Sequence, residues 1–271
     1  EIREVDGDKD IIVVIPTADF DGKYAKNCRE EIFNGLHIVF VVSGKNNFYF
    51  NYAHNCNVGI KKALEYNPKW IVISNDDMYK INEITVLKDS LNSLNETKTS
   101  IVFINKGLFH EYPARIAQPR FFRDLLFFTL GKLRRKQLIF EKKYHVNLFL
   151  SNDRGFQKLF FKGTIKVVGI GNFGIFSSLY LKRIQGNLFD ETFINGGEDL
   201  YLSLNIKLRK ETSSTIKYSI GDFINTSLGI NTPSGIRHLK GTPRRLRDIA
   251  NMAYFNYKIK LEYPFLFERE G

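Results

Sequence analysis

The chain has 271 residues, 43% hydrophobic and 14% aromatic, enough apolar material for one large α/β domain or two small ones and too much for disorder as the main state. Two cysteines, Cys28 and Cys56, are too few for a disulfide framework or a cysteine-based zinc site and point to a reducing compartment. A formal net charge of +11 calls for an anionic partner, whether nucleotide, nucleic acid or acidic membrane surface.

No apolar run approaches the length of a membrane span, and Glu1-Ile2-Arg3-Glu4 has no basic-then-apolar signal pattern, so the expected setting is cytoplasmic. The first apolar run, Ile11 to Ile15, reads as a strand buried on both faces and closed by Pro16-Thr17. Thr17 is then placed to offer a hydroxyl and backbone donors to a nucleotide; the alternative is a plain strand-ending turn. A helix is expected over Asp21 to Asn34, a strand over His37 to Val42, and a loop from Ser43 to Asn47. Cys56, Ile60, Ala63 and Leu64 fall on one helical stripe ended by Pro68.

Trp70-Ile71-Val72-Ile73-Ser74 is another buried-type strand, and it stops at Asn75-Asp76-Asp77. Two adjacent carboxylates at the carboxyl end of such a strand suit Mg²⁺ or Mn²⁺ carrying phosphates; the plain alternative is a solvated turn. From Asn82, a candidate N-cap, Ile84, Leu87, Leu91 and Leu94 recur at helical spacing, and Ile101 to Ile104 reads as a strand. This alternation predicts an α/β fold with a mostly parallel sheet flanked by helices.

The pattern breaks between Asn105 and Lys166, where a helical insertion rich in cations and aromatics is expected. Phe121, Phe122, Phe127 and Phe128 precede Lys132, Arg134, Arg135 and Lys136, so residues 112–143 could meet an anionic membrane surface, or simply pack on the sheet with a solvated basic face. No nucleic-acid motif accompanies the run. Gly169-Ile170-Gly171-Asn172-Phe173-Gly174 spells G-x-G-x-x-G, the basis of a rival reading as an NAD-type oxidoreductase, with Asp190 or Glu191 near the ribose-binding distance. A second rival is a non-catalytic basic module that binds membrane or nucleic acid.

Gly196-Gly197-Glu198-Asp199 opens a helix marked by Leu200, Leu204 and Leu208. The glycines admit a ligand and leave one carboxylate available to take a proton. A strand is expected over Ile216 to Ile220. His238, among Arg237, Lys240, Arg244 and Arg245, is a candidate for a metal or a diphosphate.

Together these residues resemble the family-2-type inverting glycosyltransferases with the GT-A fold, from about Ile11 to Lys258. The resemblance is carried by Ile15-Pro16-Thr17, by Asn57-x-Gly59-Ile60, by Asn75-Asp76-Asp77 as the D-x-D-type motif, and by Phe189-Asp190-Glu191 followed by Gly197-Glu198-Asp199. It implies one domain, with a nucleotide-binding half at about 10–104, the insertion at about 105–166 and an acceptor half at about 167–258. It further implies a nucleoside-diphosphate sugar donor, a glycan or lipid-linked acceptor, a divalent Mn²⁺ or Mg²⁺, and location in the cytoplasm or at the cytoplasmic membrane face. Asp199 would be the base and Glu198 would orient the acceptor beside Gly196 and Gly197. Asp77 and His238 would hold the metal, with Pro16, Thr17, Ser43, Asn57, Asn75, Asp76, Arg244 and Arg245 on the nucleotide. Two departures stand out: Ser43-Gly44 where the family commonly has a base-contacting Asp, and Asn75 in place of the first acid.

Overall fold

The computed structural model describes residues 1–44, 50–104, 111–116, 163–168, 170, 172–223 and 242–266. It is an α/β fold built on a seven-stranded mixed sheet. In chain order the first elements are β1 (Ile2–Val5), β2 (Asp8–Thr17), α1 (Lys23–Asn27), β3 (Leu36–Val42), α2 (Tyr52–Leu64) and β4 (Trp70–Ser74). β5 (Met78–Lys80), α3 (Ile84–Asn92) and β6 (Ile101–Ile104) follow, then a strand pair, β7 (Glu111–Ile116) with β8 (Gly163–Val168). The last are β9 (Phe173–Ser177), α4 (Ser178–Arg183), α5 (Glu198–Leu208), β10 (Ser213–Ile216), β11 (Ile220–Asp222) and α6 (Thr242–Glu262).

The sheet order is β1-β3-β2-β4-β9-β6-β10. β3, β2 and β4 are mutually parallel, as are β6 and β10, whereas β1 runs against β3 and β9 runs against both β4 and β6. The sheet is therefore less parallel than the sequence pattern predicts, for a topological reason. A parallel strand needs a crossover that returns the chain to the starting edge. Here the chain leaves β6 at the carboxyl edge and re-enters at Phe173 opposite Ser74, on that same edge, so β9 must run backwards.

Successive residues of β2 point to opposite faces. Ile11, Val13 and Ile15 pack with Cys28, Ile32, Leu87 and Leu91 on one face. Ile12 and Val14 pack with Cys56, Ile60 and Ala63 of α2, and with Leu181, Leu202 and Ile206. Burial on both faces explains why these strands read as unbroken apolar runs. Gly59 lets α2 lie close on the sheet, since a Cβ there would stand 2.3 Å from Val14 Cγ1. A third core joins α5 to α6 through Phe193, Leu200, Leu204, Phe255 and Ile259.

Several local expectations are corrected. Pro16 does not end β2: pairing with β4 stops at Val14, so the ring sits where only β3 continues alongside, through Thr17↔Val42. The helix expected over Asp21 to Asn34 is five α-helical residues, Lys23–Asn27, followed by a π-helical turn at Cys28–Ile32. Asn82 does not cap α3, whose N-cap is Glu83; its side chain accepts the Ser219 amide at 2.8 Å and its own amide donates to the Ser219 carbonyl. The strand expected over Ile216 to Ile220 is broken into the end of β10 and the start of β11. The expected helical insertion includes a strand at Glu111–Ile116; the aromatic and basic residues from 120 to 143 lie outside the described residues.

Candidate functional site

Two acid pairs stand on the carboxyl edge of the sheet. Asp76 and Asp77 follow β4 directly and are 8% and 1% exposed. Thr17, at the end of β2, donates its hydroxyl to Asp76 Oδ2 at 2.7 Å, and Ser43 beyond β3 donates its amide and hydroxyl to the Thr17 carbonyl. The structure thus brings Thr17, Ser43, Asn75, Asp76 and Asp77 together at one edge, with Pro16 on the strand leading there. Cys28 lies beneath them, its Sγ 3.3 Å from the Asp76 carbonyl; burial and the two nearby carboxylates push its thiol well above the usual range, so it stays protonated.

Sequence reasoning missed two further residues here. Asn75 donates its amide to the Asn172 carbonyl, and the Asn172 side chain hydrogen-bonds to Asp222, which is 3% exposed at the end of β11. β11 pairs antiparallel with β5, aligning Asp222 with Met78, and the Phe223 amide donates to the Asp77 carbonyl. Asp222 repeats the signature of Asp76, an acid at the end of an apolar stretch, but Ile220-Gly221 is too short to stand out.

The second pair, Glu198 and Asp199, opens α5. Gly197 is its N-cap at φ +98°, a conformation that favours glycine. Glu198 is buried and its Oε2 accepts the Gly196 amide at 2.6 Å. Asp199 is partly exposed; its Oδ1 accepts the Leu200 amide at 2.8 Å, and crowding by the protein pushes its carboxyl up to about 6.

The loop that presents this pair is tied to the same edge by α2, which starts just beyond the β3 exit. Asn195 Oδ1 accepts the Tyr52 amide at 2.9 Å, its Nδ2 donates to the Phe50 carbonyl, and Asn51 donates to the Glu191 carbonyl. Asn57, expected on the nucleotide, is 1% exposed and bonds both the amide and carbonyl of Phe189 and the Glu191 carboxylate. Burial raises the Glu191 carboxyl, but the bonds from Asn57 and His54 outweigh it and hold it below the usual range. Asp190 is likewise held low against burial by Lys258, the Thr192 amide and Tyr254. Asn251 of α6 clasps the amide and carbonyl of Ile194 at 2.9 and 3.0 Å.

Arg244 and Arg245 lie in the first turn and a half of α6, and His238 lies outside the described residues. The G-x-G-x-x-G run does not precede a helix: Gly174 is inside β9, facing Ile73, and a Cβ there would meet Ile170 Cγ2 at 2.7 Å. A dinucleotide fingerprint places its glycines between a strand and a helix N-terminus, and Gly174 does not stand there; Gly169 and Gly171 lie outside the described residues. A cavity of about 420 Å³ between α4, α5 and α6 has its charged lining paired internally, Lys258 with Asp190 and Tyr201 with Glu262, as in a seam between helices.

Among the described residues no group of three or more His, Cys, Asp or Glu side chains is arranged to hold a metal ion. Asp76 and Asp77 nonetheless supply hard carboxylate oxygens at a strand end, the donor set through which Mg²⁺ or Mn²⁺ is held together with substrate phosphates. No protein-family model matches the chain, and a search of curated proteins finds no match.

Proposed function

We propose that the chain is an inverting glycosyltransferase of the GT-A type, moving a sugar from a nucleoside-diphosphate sugar to a hydroxyl of a glycan or lipid-linked acceptor. The observation that carries the reading is the pair of acid sites on one sheet edge: a buried Asp76-Asp77 after β4, and Glu198-Asp199 behind two glycines at the start of α5. Asp199, with its carboxyl raised to about 6, suits a general base working near neutral pH. It takes the proton from the acceptor hydroxyl as that oxygen bonds to the anomeric carbon; the bond to the diphosphate breaks and the leaving group keeps its electron pair. Glu198, fixed by the Gly196 amide, orients the acceptor.

On the donor side Thr17 and Ser43 border the nucleotide, and Thr17 sets the direction of Asp76. Asp77, with His238, would hold a divalent ion, which when bound neutralises charge on the departing diphosphate. Arg244 and Arg245 add cations for the same leaving group. Equilibrium binding of UDP, GDP and NAD with and without Mn²⁺ tests the proposal. Metal-dependent affinity for a nucleoside diphosphate is expected, and metal-independent binding of NAD alone would overturn it.

A further inference from the structure

α6 is a 21-residue helix with two unlike faces. Asn251, Phe255 and Ile259 are buried on its inner face against the acid loop and α5. On the outer face Leu246, Tyr257 and Leu261 recur at helical spacing, with Ala250 and Ala253 between them also exposed, and Phe265 continues the line in the turn beyond. The four large side chains are 58%, 62%, 66% and 58% exposed. At roughly 200 Å² for each fully exposed side chain they present about 500 Å² of surface along this one face.

Cations stand beside part of the stripe: Arg247 is half-buried next to Leu246, whereas Lys258 turns inward to Asp190. At its carboxyl end α5 finishes in exposed Lys207, Arg209 and Lys210, and Arg209 Nε reaches the Tyr263 hydroxyl at 3.3 Å. We infer that the outer face of α6 docks the protein flat on an anionic lipid bilayer, the apolar stripe entering the acyl boundary and the cations meeting headgroups. A second copy of the chain fits less well, because the chain carries a formal net charge of +11 and two copies repel. No described helix is long and apolar enough to cross a membrane. The inference is independent of the transfer chemistry, because binding is read without donor or acceptor.

The test is co-sedimentation of the full chain with phosphatidylcholine vesicles, with and without phosphatidylglycerol, at low and high salt. Binding to the anionic vesicles only, weakened severalfold by salt, is expected. Tyr257→Ser with Leu261→Gln, both exposed and so compatible with folding as checked by circular dichroism, should lower the bound fraction severalfold. Lys207→Gln with Lys210→Gln should reduce the preference for anionic lipid. Three results would overturn the inference: no binding at low salt; full binding by the Tyr257→Ser/Leu261→Gln variant while neutralising Lys132, Arg134, Arg135 and Lys136 abolishes it; or a lipid-free wild-type dimer in sedimentation equilibrium that the stripe variant converts to monomer.

Discussion

Replacing Asp199 by Asn should make the protein more stable and nearly inactive. The carboxyl sits at about 6 in the folded chain against 3.8 as its ordinary value. Between those two values the folded state holds a proton that the unfolded state has lost, so stability falls as pH rises through this window and reaches its floor above about pH 6. The full shift corresponds to a penalty of about 3 kcal/mol for ionised Asp199 at neutral pH, and water reaching the partly exposed side chain reduces it to about 1–2 kcal/mol. Asn has the same shape, keeps the acceptor for the Leu200 amide and carries no charge, so it escapes the penalty. Urea melts at pH 7.5 should show the variant about 1–2 kcal/mol more stable than wild type, with the gain gone by about pH 4. Transfer should fall on the order of a hundredfold or more, and wild-type kcat/KM should rise through about pH 6 to a plateau. A variant destabilised equally at both pH values would mean that the carboxylate is not desolvated. Full transfer activity would remove Asp199 from the base role.

Asp77→Ala should abolish Mn²⁺-dependent affinity for UDP or GDP in calorimetry, and unchanged affinity would leave the acid pair as a strand-ending turn. Asn57→Ala strands the buried amide and carbonyl of Phe189 and should cost about 2–3 kcal/mol in urea denaturation; a loss below about 0.5 kcal/mol would show that water replaces the side chain. Gly59→Ala pushes a methyl to 2.3 Å from Val14 Cγ1 and should lower stability by about 1–3 kcal/mol, measured by thermal unfolding; an unchanged melting point would mean α2 shifts freely on the sheet.

The strands leading to the Asp76-Asp77 edge were legible because they are buried on both faces, and a run such as Ile11 to Ile15 has few other homes. The direction of β9 was not, since whether a chain returns to the same edge depends on what lies between, and Phe173 to Ser177 reads alike either way. The acid pairs were visible as sequence, but their neighbours were not. Asp222 reaches Asn172, and thereby the Asp76-Asp77 strand end, through a three-residue strand with almost no periodic signal. Asn57 shows why residue type alone misleads: an amide near a presumed nucleotide edge serves the backbone of a distant loop across 132 positions of sequence.

That use of asparagine has a physical logic. The stretch from Phe189 to Asn195 has no regular secondary structure; the Thr192 and Phe193 amides bond within it to Asp190, and other backbone groups take partners from outside. An asparagine side chain donates and accepts at once, and can therefore satisfy both backbone groups of a single residue as a neighbouring strand would. Asn57 does this for Phe189 from α2, and Asn251 does it for Ile194 from α6. The loop is thus held by both helices, and the glycines that follow lead into α5 from a fixed origin. The position of Asp199 then depends on α6 staying in register with the loop. The same helix carries the apolar stripe on its outer face, so the surface proposed to meet the bilayer and the clamp on the acid loop are two sides of one rigid element.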